Sequence, residues 1–337
     1  MQAPSFWWRK PGAEAALLAP LAWIYGAIAA RRMHMPGTRA EIPVICIGNP
    51  TAGGAGKTPT ALALAALLLR QGHRPAVLTR GYGGRLAGPI RVDVTQHDAS
   101  DVGDEALLLA RRFPTIVARD RVQGAREAFG EGATVIVMDD GFQNPSLTKD
   151  VSILVVDSMR GIGNGRTIPG GPLRAPLAPQ LAAAHALLVI GEADERSERL
   201  VAQATTAGLR IVRGALQPDA GAIAKLAGQS VLAFAGIGDP DKFFRTLERS
   251  GIEAPVRRAF PDHHRYTEQE AAQLLKEAER DKLLLLTTEK DAARFTTHGR
   301  VGELARQTKT LPVSLAFSDE KGFLAFVMER IPARSDA

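Results

Sequence analysis

The sequence predicts an α/β protein: a doubly wound parallel sheet, a second, smaller α/β domain and an N-terminal apolar helix. Three observations carry this. Short, β-branched apolar runs alternate with helical stretches along most of the chain, as expected for strands covered by helices on both faces of a parallel sheet. The alternation is interrupted by a helical stretch rich in Glu and Arg at 192–208 and then resumes, which marks a second unit. The first 38 residues follow neither pattern, because an uncharged run, AALLAPLAWIYGAIAA, fills the space between Glu14 and Arg31. The expected division is therefore an N-terminal segment 1–38, a larger domain 39–212 and a smaller domain 213–330.

The elements follow in order. IPVICIGN (42–49) reads as a buried strand, a glycine-rich turn follows, and TPTALALAALLLRQG (58–72) reads as a helix apolar on nearly all sides. RPAVLTRG (74–81), TIVARDR (115–121), ATVIVMDDG (133–141), VSILVVD (151–157) and ALLVIG (186–191) repeat the strand pattern, with DEALLLARRF (104–113) helical between them. The second series runs SVLAFAGIG (230–238), DKFFRTLERSG (241–251), EAPVRRAF (253–260), EQEAAQLLKEAER (268–280), KLLLLTT (282–288) and LPVSLAF (311–317).

Composition narrows the function classes. With 45% hydrophobic and 23% charged residues the chain is neither disordered nor fibrous. Cys46 is the single cysteine, so an internal disulfide and a zinc ribbon are both excluded, and a reducing compartment is expected. The net charge of +6 points to acidic partners. Arg9, Lys10, Arg31, Arg32 and Arg39 stand against Glu14 alone in the first forty residues, so most of that excess is N-terminal. Nucleic acid is not expected, because no aromatic stacking motif and no Lys/Arg-dense helix occurs elsewhere.

The N-terminal run is shorter than the ~20 residues that span a bilayer. A signal peptide, a packed core helix and a helix lying in one membrane leaflet are the three readings. The first is set aside because a phosphate-binding motif follows. The third is favoured, because Phe6, Trp7, Trp8, Trp23 and Tyr25 together with flanking cations suit a headgroup surface. Pro20 is expected to kink or restart the helix.

Thr51-Ala52-Gly53-Gly54-Ala55-Gly56-Lys57-Thr58 follows a strand and opens a helix, the context of a Walker A loop, although Thr51 replaces its usual first glycine. Its glycines let backbone N–H groups converge on phosphates, Lys57 reaches the β- and γ-phosphates, and Thr58 is placed to ligate Mg²⁺. The larger domain is thus P-loop NTPase-like, with ATP and Mg²⁺ as expected cofactors. Asp139 and Asp140 end an apolar strand, as in a Walker B element, while Asp-Asp-Gly is also ordinary turn composition. Asp104 and Glu105 open a helix, where they could cap it or act beside bound phosphates. Arg80 and Arg121 follow strands and could meet an anion or solvent. Asp262, His263 and His264 gather titratable groups after a strand, and adjacent histidines facing different ways make no two-histidine metal site.

Taken together, TAGGAGKTP (51–59), TRGYGG (79–84), GDE (103–105), DDGFQ (139–143), PGGPLR (169–174), AFAGIG (233–238), Asp262–His263 and TTEKD (287–291) resemble the tetraacyldisaccharide 4′-kinases of Gram-negative bacteria, in the family's order and over nearly the whole chain. The resemblance implies transfer of the ATP γ-phosphoryl group to the 4′-hydroxyl of a lipid A disaccharide 1-phosphate, forming lipid IVA at the cytoplasmic face of the inner membrane. It implies Asp104 as the catalytic carboxylate and His263 as the residue that tunes it, with His264 an alternative partner. Thr58, Glu105, Asp139 and Asp140 fall at metal and phosphate positions, and Arg80, Tyr82, Arg121, Gln143 and Arg174 at positions lining the sugar and phosphates. Asn144 and Ala175 depart from the family's usual His and acid, so no role carries over there. The inner-membrane surface is expected to meet residues 5–32, with no obligatory protein partner. A P-loop switch or ATPase would share Lys57, Thr58 and Asp139. Against it, Ala52 replaces the extra lysine of MinD-like switches and no NKxD segment is present.

Overall fold

The computed structural model describes residues 3–331, so residues 1 and 2 of the expected N-terminal segment lie outside the described residues. The strands of the first half are β1 (Val44–Gly48), β2 (Pro75–Thr79), β3 (Ile90–Arg91), β4 (Thr115–Val117), β5 (Val135–Asp139), β6 (Val151–Asp157) and β7 (Ala186–Ile190). Those of the second half are β8 (Arg210–Pro218), β9 (Val231–Ala235), β10 (Val256–Ala259), β11 (Leu284–Thr288), β12 (Lys309–Leu311) and β13 (Val313–Phe317). They form two sheets among the described residues, in the orders β13-β8-β7-β6-β1-β5-β2-β4-β3 and β10-β9-β11-β12. The smaller sheet is all parallel, and the larger is parallel except at its two edge strands, β3 and β13.

Strands β1, β2, β5, β6 and β7 are buried along their whole length, which is why they read as continuous apolar runs rather than alternating ones. One face of the larger sheet packs against Leu64, Leu67 and Leu68 of the helix Lys57–Arg70 and against Phe323, Phe326 and Val327. The other face holds Leu78, Ile136, Met138, Leu154 and Leu200. Strand β1 pairs with β5 on one side and β6 on the other, with Ile47 opposite both Asp139 and Ile153. This register brings the loop after β1 and the acids that end β5 to the same carboxyl edge, where ligands of open α/β sheets bind. Gly48 is required there, because a Cβ would lie 2.3 Å from Phe142 Cβ.

The expected boundary 213–330 needs correction. Strand β8 belongs to the larger sheet, and LPVSLAF divides at Pro312: Leu311 ends β12 in the smaller sheet, whereas β13 pairs antiparallel with β8. Proline cannot supply a ladder N–H, so the strand cannot continue through it, while its carbonyl still accepts the Asp219 N–H at 2.9 Å. The chain then returns, and the helix Glu320–Met328 buries Phe323 against Phe317 at 4.6 Å between ring centroids. The smaller unit is therefore the segment between β8 and β13, with Phe243, Phe244 and Leu247 on one face of its sheet and Leu274, Leu304 and Tyr266 on the other.

The N-terminal run forms two helices, Ala13–Leu17 and Ala19–Met33, and Pro20 lies in the first turn of the second, where its missing N–H costs nothing. Ala15, Ala22 and Gly26 face the protein, and Gly26 is closed in by Thr167 and Pro176. The Thr167 hydroxyl donates to the Ala22 carbonyl at 2.6 Å, and the Trp7 indole donates to the Pro169 carbonyl at 3.0 Å. The opposite face exposes Leu17, Leu21, Ile24, Tyr25 and Ile28 at helical spacing, with Trp23 75% accessible beside them. Among the described residues no helix is long and apolar enough to cross a membrane.

Replacing Phe323 by Ala tests the reassigned C-terminal segment. The buried ring should cost about 3–5 kcal/mol, read as a lower urea midpoint of the larger domain's unfolding. A midpoint within experimental error of the wild type would contradict the packing described.

Candidate active site

The loop after β1 is held open by its own backbone. Gly53 and Gly56 take φ of 111° and 90°, left-handed values that other residues reach only with strain. Asn49 donates from its amide to the Thr51 and Gly53 carbonyls and accepts from Lys57 Nζ at 3.1 Å, so the loop and its lysine share one anchor. Gly56 also packs where a Cβ would meet Ile190 Cδ1 at 2.7 Å. Lys57 and Thr58 open the following helix and are buried beneath the loop, placing cation, hydroxyl and helix N-terminus together.

The acids ending β5 have different surroundings. Asp140 takes φ 55° and is gripped by Arg174, whose two terminal nitrogens reach its carboxylate at 2.6 and 3.2 Å. Arg174 Nε also donates to the Thr51 carbonyl at 3.1 Å, and Lys57 lies 3.7 Å from Asp140. Burial opposes the charge on Asp140, but Lys57 and Arg174 outweigh it and hold its pKa below the ordinary value. Asp139 is fully buried, and neither carboxylate oxygen has a hydrogen-bond partner. Burial, reinforced by the negative charge of Glu105, raises its pKa to about 7. A buried carboxylate with both oxygens uncommitted, within the field of Lys57 at the end of the phosphate loop, fits a divalent cation shared with bound phosphates, the mode that Mg²⁺ prefers.

The third part is built across the two sheets. Asp104 starts the helix Asp104–Ala110 and is 4% accessible. His263, from the turn after β10, contacts its two oxygens through Nδ1 at 3.2 and 3.0 Å. An ionised carboxylate only accepts, so Nδ1 carries the proton. His263 itself is held at φ 58°, an uncommon conformation for a non-glycine residue and one that gathers at functional sites. Lys290 donates to Glu105 at 3.0 Å and lies 3.4 Å from His263 Nε2. Burial works against charge on both Asp104 and Lys290. For Asp104, the hydrogen bond from His263 and the charges of Lys290 and Arg294 prevail and hold its pKa well below the carboxylate range. For Lys290, the acids Glu105, Asp262 and Asp104 prevail and raise it above the ordinary lysine value.

Comparison with known proteins shows the family to which this fold belongs. The family described as tetraacyldisaccharide-1-P 4′-kinase matches residues 14–332. The chain belongs to this kinase family. A relative from Bradyrhizobium sp. (strain ORS 278), a tetraacyldisaccharide 4′-kinase, is 52% identical over 99% of both chains. Another so named, from Methylobacterium nodulans, is 56% identical over 95% of this chain and 93% of its own. The solved structure of LpxK from Aquifex aeolicus in complex with ATP superposes with a TM-score of 0.72 at 22% identity, covering 94% of this chain and 99% of that one, and shares the fold.

Within this kinase fold, the residues singled out from sequence separate into groups. Thr51 to Thr58, Asp139, Asp140 and Arg174 surround the phosphate loop, and Glu105 adjoins them through its charge on Asp139. Asp104 and His263 meet, whereas His264 turns away to Glu270 at 2.9 Å, so His263 is the partner of Asp104. Tyr82 is exposed, its ring 5.3 Å from that of His263, and Arg80 is exposed beside it. Arg121 and Gln143 are placed differently from side chains reaching for substrate. Arg121 is buried and donates to the Ala118 carbonyl. The Gln143 amide nitrogen is committed to the Asn49 carbonyl and Gln180, both at 2.9 Å, bracing the loop from behind. Sequence reasoning gave no role to Asn49, Lys290 or Arg294; Asn49 closes the strand before the phosphate loop and Lys290 lies within TTEKD, while no local signal marks Arg294.

The Asp104 environment has a sign that stability measurements can read. Its folded pKa lies below the unfolded value of about 3.9, so the associated stability is fully present above that pH and is lost as pH falls through the folded value. Asp104→Asn should therefore be less stable than wild type at pH 7, with the gap closing below about pH 4 in denaturant titrations. A gap independent of pH from 7 to 3 would exclude an ionised Asp104.

Proposed function

We propose that this enzyme transfers the γ-phosphoryl group of ATP to the 4′-hydroxyl of tetraacyldisaccharide 1-phosphate, producing ADP and lipid IVA for lipid A biosynthesis. Membership of the kinase family supports the activity, and one observation carries the mechanism: a buried, ionised Asp104, held by His263 across the two domains, adjoins a complete phosphate cradle. The chemistry needs a sugar hydroxyl placed in line with the γ-phosphorus and its proton accepted. Asp104 takes that proton as the hydroxyl oxygen bonds to phosphorus and the bond to the β–γ bridging oxygen breaks. His263 orients the carboxylate through Nδ1–H, and Lys290 faces its other ring nitrogen.

The loop amides and Lys57 bind the β- and γ-phosphates, Arg174 fixes the loop against Asp140, and Thr58 and Asp139 would hold Mg²⁺. A Mg²⁺ ion held by these residues would offset charge developing on the phosphates. Asp140 and Glu105, already paired with Arg174 and Lys290, contribute through the field around that site. Tyr82 and Arg80 stand exposed at the same edge, suited to the sugar and an anionic group of the substrate. Because His263 and Lys290 come from the smaller unit, the full constellation exists only with the two units together, which excludes water and limits idle hydrolysis.

The acceptor sets where the reaction happens. Each CH₂ of four acyl chains costs ~0.8 kcal/mol to withdraw from lipid, so the enzyme works at the bilayer surface. The exposed stripe of Leu17, Leu21, Ile24, Tyr25 and Ile28, with Trp23 and the flanking Arg9, Lys10, Arg31 and Arg32, is the face for the cytoplasmic leaflet of the inner membrane.

Two experiments test this reading. With γ-labelled ATP, Mg²⁺ and the disaccharide 1-phosphate in detergent micelles, wild type should label the lipid and Lys57→Ala should lose at least ~10²-fold of that rate. Phosphate released to water with no labelled lipid would instead indicate an ATPase or switch. Replacing Leu21, Ile24 and Ile28 together by Ser should weaken co-sedimentation with anionic vesicles several-fold while KM for ATP stays unchanged. Undiminished vesicle binding would move the membrane contact elsewhere.

A further inference from the structure

Arg294 lies in the smaller unit, two residues past the short helix Glu289–Ala292, yet its buried guanidinium reaches a carboxylate of the larger one. Its Nε donates to Asp104 Oδ2 at 2.6 Å, and its Nη1 donates to the Gly236 carbonyl at 2.6 Å and to Asp291 Oδ1 at 2.9 Å. We infer that Arg294 is the positioning residue of Asp104 and that Asp291 is the anchor that aims it; this rests on Asp104 being the proton acceptor in the reaction proposed above.

The geometry divides the work between the two cationic neighbours. His263 Nδ1 lies almost equally far from both Asp104 oxygens, so it leaves the rotation of the carboxylate free. Arg294 selects Oδ2, and the backbone N–H of Glu105 meets Oδ1 at 3.0 Å, which together fix the plane of the group. The guanidinium is fixed in turn by Asp291, which is fully buried and accepts from Gly236 N at 2.8 Å, the Tyr266 hydroxyl at 2.9 Å and the Thr288 hydroxyl at 2.6 Å. Those donors come from the end of β9, the turn after β10 and the end of β11, so one acid ties together the loops that carry His263, Lys290 and Arg294. A planar, permanently charged fork suits this task, because it can satisfy a carboxylate on each side at once.

A misplacement of about 1 Å in a reacting group can cost ~10²-fold in rate. Arg294→Met should therefore lower kcat for labelled-lipid formation by ~10²-fold while leaving KM for ATP within threefold, and Arg294→Lys should restore at least tenfold of the loss by returning one N–H to Oδ2. Arg294→Met leaves the buried Asp291 without its counter-charge, so the double variant Arg294→Met/Asp291→Asn is measured beside it to supply a folded form, with the same low kcat expected. The assignment is overturned by a kcat within threefold of wild type in either Met-containing variant, by Lys performing no better than Met, or by a loss that lies in KM for ATP. Wild type that fails to label lipid at all would overturn the proposed reaction itself, a result separate from each of these.

Discussion

The arrangement depends on keeping charge inside a protein where water does not reach. Asp104 stays ionised although burial penalises its charge, because His263, Arg294 and Lys290 surround it, and all three belong to the other structural unit. An isolated buried carboxylate would take up a proton, and a proton already bound cannot be accepted again. Docking of the smaller unit thus orients Asp104 and keeps it unprotonated, so that it is free to accept a proton, although the same charges weaken it as a base. The same contact supplies much of what holds the two units in register, reinforced on the nucleotide side by Lys242 with Asp157 and by Arg160 with the Gly238 carbonyl at 3.0 Å.

Around the phosphate loop the charges are matched pair by pair, with one exception. Asp140 has Arg174, Glu105 has Lys290, and Lys57 has Asn49 and Asp140. Asp139 has no hydrogen-bond partner among the described residues, and burial, with the charge of Glu105, raises its pKa. The protein bears this cost at the position where a cation would arrive with the nucleotide. A cation bound there, rather than a protein side chain, would complete the balance and so couple nucleotide binding to stability.

The N-terminal segment has two faces with separate tasks. Small residues, Ala15, Ala22 and Gly26, allow close approach to the segment 167–176 that also carries Arg174. Large apolar residues on the outer face are exposed among the described residues. The element that carries this exposed apolar face therefore rests directly on the segment whose arginine clamps the phosphate loop.

Much of this was legible in the amino-acid order. Continuous apolar runs marked β1, β2, β5, β6 and β7, because strands buried on both faces need no alternation, and the phosphate loop declared itself because only glycine tolerates its backbone. Asp104 and His263 stood out as motifs, 159 residues apart. What the chain order could not show was contact. LPVSLAF reads as one strand but serves two sheets, because Pro312 interrupts it where the chain returns to the larger core. Gln143 and Arg121 read as ligands but brace backbone: the Gln143 amide meets the Asn49 carbonyl, which only folding brings near, and the Arg121 guanidinium turns back to the Ala118 carbonyl three residues before it. Arg294 carries no local mark at all: its role exists because a parallel sheet collects loops from distant strands at one edge, and tertiary structure alone decides which side chains meet there.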